Sequence, residues 1–334
     1  MIGTCFYFIY TGFPFSIYAK NHKELPIEQE DPYLYQQLIA ENEKQVLKKQ
    51  KEEEARMAAL ALNEQEEAKK QETAAVLSNA VSQIQAGGSY LSQCFIVDPN
   101  TTLTEEEAPL ADLMGRDMQL ESKDRSYPQI LIYHTHATEG FLDSVDGDYA
   151  TTVVGVGEYL MELLTTCYGY HVLHVTEPYD LAEGTLNRSR AYNYARDDLE
   201  RILEENPSIE VIIDLHRDGV AEDRHLVTEI NGKPTAQIMF FNGLSKTTEH
   251  GVLDSLPNPY IQDNLAFSLQ LEALCEHYYP DFLRSIYVKG YRYNLHFRPK
   301  SLLLEVGAQT NTLEEAKNAM EPFAEILDKL LKGT

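Results

Sequence analysis

From Pro128 onward the chain alternates short apolar runs with amphipathic stretches of helical length. That alternation confines it to βαβ units around a largely parallel sheet. Strands are expected at 129–134, 170–175, 209–215, 236–241, near Ile286 and at 301–306, with helices at about 150–167, 187–205, 261–279 and 313–331. Together they make one α/β domain of about 200 residues, a mostly parallel mixed sheet flanked by helices.

Three of the apolar runs end alike. Gln129-Ile130-Leu131-Ile132-Tyr133 leads into His134-Thr135-His136-Ala137-Thr138-Glu139, Glu210-Val211-Ile212-Ile213-Asp214-Leu215 into His216-Arg217-Asp218, and Ser301-Leu302-Leu303-Leu304 into Glu305-Val306-Gly307. Open α/β sheets bind ligands outside the carboxyl ends of their strands, so three ends bearing imidazoles and carboxylates point to one site.

A hydrolytic zinc centre needs three protein ligands and one open position, and His136, Glu139 and His216 can supply that set. A His-x-x-Glu pair just past a strand can fold back around one ion, and a further ligand from a neighbouring strand closes the site. Glu305 then acts as general base and acid, while Zn2+ acidifies a bound water and stabilises the oxyanion. His134, two residues before His136, competes for the first ligand position or orients a ligand. Asp214 could orient His216, and Arg217 could hold a substrate carboxylate in bidentate fashion. Taken singly, these residues have plainer readings: His216 as a hydrogen-bonded core histidine, Glu305 as the ion-pair partner of Arg292 or Arg298, and Glu139 as a turn cap. The segment 292–299 could line the cleft.

The remainder of the chain limits the function classes. A net charge of -25 over 334 residues argues against nucleic acid and against electrostatic docking on anionic lipid, since both depend on clustered Lys and Arg. Cys5, Cys94, Cys167 and Cys275 are scattered, with no zinc-ligand spacing. There is no Gly-rich phosphate loop and no Gly-x-Ser-x-Gly elbow, so nucleotide binding and serine hydrolysis lose support. Residues 1–19 are mostly apolar or aromatic and precede Lys20 and Lys23, the pattern of a membrane anchor or signal. Residues 28–86, rich in Glu, Gln, Lys and Ala, read as a solvated helical stalk. Gly87-Gly88-Ser89 ends it, 87–126 reads as an acidic linker, and the folded domain is expected over 127–332.

The blocks Ile132-Tyr133-His134-Thr135-His136-Ala137-Thr138-Glu139, Asp214-Leu215-His216-Arg217-Asp218 and Leu303-Leu304-Glu305-Val306-Gly307-Ala308-Gln309-Thr310-Asn311-Thr312 resemble, in this order, the three signature blocks of the stage II sporulation protein P family. The resemblance covers about 127–332 and departs from the usual pattern at Gly140-Phe141 and at Leu295-His296, which bears on substrate contacts. It implies a zinc-dependent N-acetylmuramoyl-L-alanine amidase with an amidase or zinc-exopeptidase type of sheet. Such an enzyme cuts the amide between muramic acid and the stem peptide of peptidoglycan, with a second ability to cut peptide cross-links. It also implies a protein anchored in the mother-cell membrane, facing the space between the engulfing membranes, with a lytic transglycosylase, stage II sporulation protein D, as partner. Carried over by residue, His136, Glu139 and His216 match the zinc ligands and Glu305 the catalytic glutamate. Two other functions compete: a zinc carboxypeptidase, which needs an arginine pocket for the substrate's terminal carboxylate, and a catalytically inactive wall-binding scaffold, which has no need of Glu305.

Overall fold

The computed structural model describes residues 32–86, 91–122, 124–182 and 185–334. The chain divides into two units, Met1–Asn63 and Glu64–Thr334. In the first, residues 32–63 lie in helix α1 (Pro32–Ala86), and every side chain described from Tyr33 to Asn63 is exposed. The helix there depends on residue propensity and on pairs such as Lys48 with Glu52 at 3.8 Å. The anchor or signal expected at 1–19 lies outside the described residues, and among those described no helix is long and apolar enough to cross a membrane.

The second unit is built on a sheet of seven strands: β1 (Phe95–Val97), β2 (Ile130–Tyr133), β3 (Val172–His174), β4 (Val211–Asp218), β5 (Ile238–Gly243), β6 (Leu283–Lys289) and β7 (Lys300–Ala308). Their spatial order is β1-β6-β5-β7-β4-β2-β3. All neighbours run parallel except β5 and β7, which are antiparallel. This is the mostly parallel mixed sheet expected from the sequence.

Alternate residues serve opposite faces. Ile130, Ile132, Val211, Ile213, Leu302 and Leu304 belong to the main core, where helices α2 (Val153–Thr166), α4 (Ile261–Tyr278) and α5 (Leu313–Lys332) cover the sheet. Leu131, Tyr133 and Ile212 pack on the other face against Ala191, Ala195 and Leu199 of helix α3 (Arg188–Glu205). The two-residue period then carries Asp214 and His216 to the side of Ile212. It carries Glu305 to the side of Leu303, which packs with Phe241 on that second face. Helix α5 is bounded sharply, by a Thr312–Glu315 capping box and by Gly333 in the left-handed conformation.

Two expected boundaries are corrected. In its last turns α1 is not a solvated stalk, because Val76 is buried, with Leu77, Val81 and Ile84 packed beside it. The described part of 87–126 is not a linker either. Leu91–Cys94 form a helical turn, Phe95–Val97 add β1 to the sheet edge, and Leu110–Gly115 form a short helix. Cys94, Phe95, Leu113, Met114 and Met118 are buried. The domain therefore begins well ahead of residue 127. The apolar run Cys94–Val97 is only four residues long and Leu113, Met114 and Met118 stand singly or in a pair, so no sustained period marks them, and packing against the sheet gives them their structure.

Candidate metal centre

The site forms where β2, β4 and β7 end. Register places Glu305 directly opposite His216 and Tyr133 opposite Asp214, so two site residues are cross-strand neighbours and a third leads into the loop of the first block. That loop is tied down at several points. Asp214 accepts from the Thr135 backbone N–H at 2.8 Å and from the Thr135 hydroxyl at 2.6 Å. Thr152, which caps α2, donates its hydroxyl to the Ala137 carbonyl at 3.0 Å, and the Glu139 backbone N–H closes a turn on the His136 carbonyl at 3.1 Å. Past Glu305, Gly307 adopts φ 57, and a Cβ there would lie 2.7 Å from Asn311 Oδ1. That oxygen accepts from the Ala308 N–H at 2.9 Å, so the Gly-x-x-x-Asn spacing of the third block is a turn held by its own asparagine.

His136, Glu139 and His216 converge. One ligand atom from each lies within 4.8 Å of the others: His136 Nδ1 is 3.4 Å from Glu139 Oε1, and His216 Nδ1 is 3.2 Å from Glu139 Oε2. Donors about 2.1 Å from a tetrahedral ion stand about 3.4 Å apart, so these separations suit a bound metal. The two imidazole rings cross edge to face with centroids 5.1 Å apart. His136 Nε2 is enclosed with no hydrogen-bond partner. Two imidazoles, one carboxylate and an unmet ring nitrogen form a donor set that fits a divalent cation.

Asp214 stands behind this set. Its Oδ1 lies 2.8 Å from His216 Nε2, within ion-pair distance though not in hydrogen-bond geometry, so the other ring nitrogen, Nδ1, is the one turned to Glu139. Burial disfavours a charged His216, but Asp214 and Glu139 outweigh it and hold its affinity for a proton well above the usual histidine range. Burial likewise opposes a charged Glu139, and the contacts with His136 and His216 overcome it, keeping this carboxyl well below the ordinary carboxylate range.

Glu305 is set apart electrostatically. Its residue is half-buried, yet its Oε2 is enclosed and unpartnered. Burial, with Glu139 and Asp218 adding and His216 and Arg284 opposing, pushes its pKa up to about 8. The suggested pairing with Arg292 or Arg298 does not occur: Arg298 donates to the carbonyls of Ile209 and Phe297, and Arg292 to that of Pro257.

His134 takes no part in the cluster. It is fully buried, with Nδ1 on the Leu215 carbonyl at 2.8 Å and Nε2 on His174 Nε2 at 2.9 Å, so neither nitrogen is open to an ion. Burial and the neighbouring His174 push its pKa down to about 3, and the ring stays neutral. Arg217 is also engaged, donating from Nε to the Gly140 carbonyl at 2.8 Å and from Nη1 to the Asp218 carbonyl at 3.0 Å. It stabilises the loop that carries Glu139. The loop 292–299 does approach the site: Tyr293 meets Tyr192 at 5.4 Å, and Tyr192 meets His136 at 5.6 Å. Tyr192, Thr135, His174 and Arg188, whose Nη1 lies 3.6 Å from Glu139 Oε1, are neighbours that the sequence did not disclose. Tyr192 and Arg188 reach the site from helix α3, Thr135 sits inside the first block between the two histidines, and His174 closes the short strand β3.

Fold and site together define a class: an open α/β sheet with a three-residue cluster that could hold a metal ion and an isolated carboxyl side by side at its strand ends. The sequence profile of stage II sporulation protein P (SpoIIP) matches residues 10–328, and the chain belongs to that family. It is 26% identical over 255 residues to stage II sporulation protein P of Bacillus subtilis (strain 168), covering 70% of this chain and 60% of that relative. The chain therefore spans about 60% of the length of the curated relative it matches. Among solved structures it is similar to the CwlD amidase from Clostridioides difficile, solved in complex with the GerS lipoprotein, with TM-score 0.39, 15% identity, and 61% of this chain and 98% of that one covered. It is also similar to N-acetylmuramoyl-L-alanine amidase AmiC2 of Nostoc punctiforme, with TM-score 0.34, 13% identity, and coverage of 61% and 94%.

Proposed function

We propose that the chain is a zinc-dependent N-acetylmuramoyl-L-alanine amidase acting on peptidoglycan during sporulation engulfment. The observation that carries this reading is the convergence of His136, Glu139 and His216 with Glu305 paired across the sheet to His216. Family membership supports the wall substrate and the sporulation setting. In that setting the N-terminal segment holds the protein at the cell membrane. The catalytic part is extracytoplasmic, on the mother-cell side of the intermembrane space, beside a lytic transglycosylase of the stage II sporulation protein D type. Peptide cross-links are a second class of amide open to the same chemistry.

Zn2+ held by His136, Glu139 and His216 would supply a Lewis acid and an acidified water. Glu305 takes a proton from the attacking water as its oxygen adds to the muramoyl carbonyl carbon. The same carboxyl returns the proton to the amide nitrogen as the C–N bond breaks, leaving a free amine and a carboxylic acid, which gives up its remaining proton to solvent. Burial raises the pKa of this carboxyl and a cation bound beside it would lower it again, which brings it towards the neutral range that suits both transfers. Asp214 fixes the His216 ring, and the Thr135 bonds of Asp214 fix the loop bearing the other two ligands. The carboxypeptidase reading loses Arg217 as its carboxylate anchor, since that guanidinium is held by backbone carbonyls. An inactive scaffold leaves the enclosed Oε2 of Glu305 without a role.

The test is to incubate the full chain with purified peptidoglycan and identify the products by mass spectrometry. The expected result is stem peptides with a free L-alanine amine, lost on chelation and reduced at least 100-fold by Glu305→Gln. Equal release by wild type, variant and chelated protein would remove the reading.

A further inference from the structure

The antiparallel pairing of β5 with β7 gives the sheet two carboxyl edges. Strands β2, β3, β4 and β7 all run toward the metal centre. Met239 of β5 pairs with Glu305 and Phe241 with Leu303, so β5, and with it the parallel strands β6 and β1, runs away from Glu305 and ends beside the start of β7. Open α/β sheets bind ligands outside the carboxyl ends of their strands, and the rule applies to this edge as to the other. The loops that follow β1, β5 and β6 are bound there into one floor. The Leu244 N–H donates to the Lys289 carbonyl at 2.9 Å, the Lys246 N–H to that of Gly290 at 2.8 Å, and the Thr101 hydroxyl to that of Lys246 at 2.6 Å. Gly290 admits the close approach, for a Cβ on it would stand 3.0 Å from the Lys246 carbonyl oxygen.

A cavity of about 710 Å³ lies in this floor, with Leu103, Leu244, Leu253, Pro257 and Ile261 among its walls, a volume within the range of small-molecule pockets. Two polar atoms of its lining residues are enclosed and have no partner, Ser245 Oγ and His296 Nδ1. Ser245 is 3% exposed and holds a left-handed φ of 50, a strained conformation for a residue with a Cβ and one that clusters at ligand sites. Helix α4 begins at the same wall. Its N-cap Tyr260 supplies no side-chain bond, which leaves the N–H groups of the first turn without a capping oxygen, and Asp263 of that turn is engaged by Arg116.

The charges around the cavity are paired or stand outside it. Lys246 is ion-paired with Glu107, and Asp254 is exposed. Burial, with Arg292 and Arg196 nearby, pushes the pKa of His296 down to about 4, so its ring is neutral. Arg292 donates to the Pro257 carbonyl at 3.3 Å. A charged ligand would shed its hydration here without gaining a counter-ion, whereas an uncharged one pays no such cost. A hydroxyl that both donates and accepts, an imidazole nitrogen and the N–H groups of a helix end match an amide, which carries an acceptor and a donor side by side. We infer that this second carboxyl edge binds a small uncharged amide with a branched apolar body, its body on the apolar wall and its amide toward Ser245 and His296. Binding there is independent of the hydrolase reading, because the length of β7 separates the cavity from Glu305.

The test uses the full chain and three probes built on one leucine body: N-acetyl-L-leucinamide, which is uncharged, N-acetyl-L-leucine, an anion, and L-leucinamide, a cation. Titrations followed through backbone amide NMR signals should show saturable binding of the uncharged probe at one site per chain, with shifts at Ser245 and in the first turn of α4. Both charged probes should bind at least tenfold more weakly. Ser245→Gly keeps the left-handed backbone and removes the hydroxyl, while His296→Phe keeps a ring and removes the nitrogen. Each should weaken binding of N-acetyl-L-leucinamide about three- to tenfold, and Leu253→Trp, which fills the cavity, should abolish it. The ranking of the probes on wild type needs no variant to fold. Absence of saturable binding, equal binding of a charged probe, or shifts confined to the metal-centre edge overturns the inference, as does binding of the uncharged probe that is unchanged in all three variants.

Discussion

At the scale of single residues, the molecule places ionisable groups where burial changes what they do. Asp214 is fully buried yet keeps its charge, because His216 and the two Thr135 bonds overcome the cost of burial. Glu272 is the opposite case. Its Oε2 is enclosed without a partner, and burial, with Glu276 adding and the Cys94 thiol opposing, pushes its pKa up to about 8. From the ordinary carboxyl value up to about 8, the folded chain holds a proton that the unfolded chain has released. Stability therefore falls as pH rises through this window and levels off above it. Glu272→Gln should be more stable than wild type at pH 9, by on the order of a few kcal/mol, and gain nothing at pH 4.5. Parallel denaturant curves of the two proteins at both pH values check this, and an equal difference at both would contradict it. At this scale the placement of the candidate site was legible in the sequence, since His216 and Glu305 end apolar runs and His136 and Glu139 follow one within six residues. The role of His134 was not. Its separation from the cluster is decided by His174 and the Leu215 carbonyl, contacts from the two flanking strands β3 and β4, which lie far away in sequence.

At the scale of elements, the regular pieces past Pro128 were readable because their apolar periods are long. The expected helices at about 187–205 and 313–331 are found at Arg188–Glu205 and Leu313–Lys332. The short pieces were not, as β1 has three residues and the hairpin of Val227–Ile230 with Lys233–Ala236 carries mixed polarity. Helix α2 shows how packing can override propensity, for Gly157 lies inside it although glycine costs a helix about 1 kcal/mol relative to alanine. A Cβ at Gly157 would stand 2.7 Å from His134 Cε1 and Nε2 and 2.9 Å from His174 Nε2. The glycine lets the helix close on the histidine pair. Gly157→Ala should therefore destabilise the protein by about 1–3 kcal/mol despite its better propensity, seen as a lower Tm. An unchanged or higher Tm would mean that the histidine rings are free to move aside.

At the scale of the whole molecule, the parts converge on one edge. The loop after β2 carries His136 and Glu139, β4 carries His216 and Asp214, and β7 carries Glu305. The domain that holds them includes the acidic segment read from composition as a linker, because short apolar pieces such as Cys94–Val97 and Leu113-Met114 become core only once the sheet is there to receive them. An ion bound by two separate segments stabilises the folded state by mass action, since the unfolded chain does not bring the ligands together. The most direct measurement is a zinc titration of the full chain, following ion stoichiometry and Tm together. One ion per chain is expected, with a Tm that rises with zinc and an affinity reduced at least 100-fold in both Glu139→Gln and His216→Ala. Unchanged zinc affinity in either variant would contradict it.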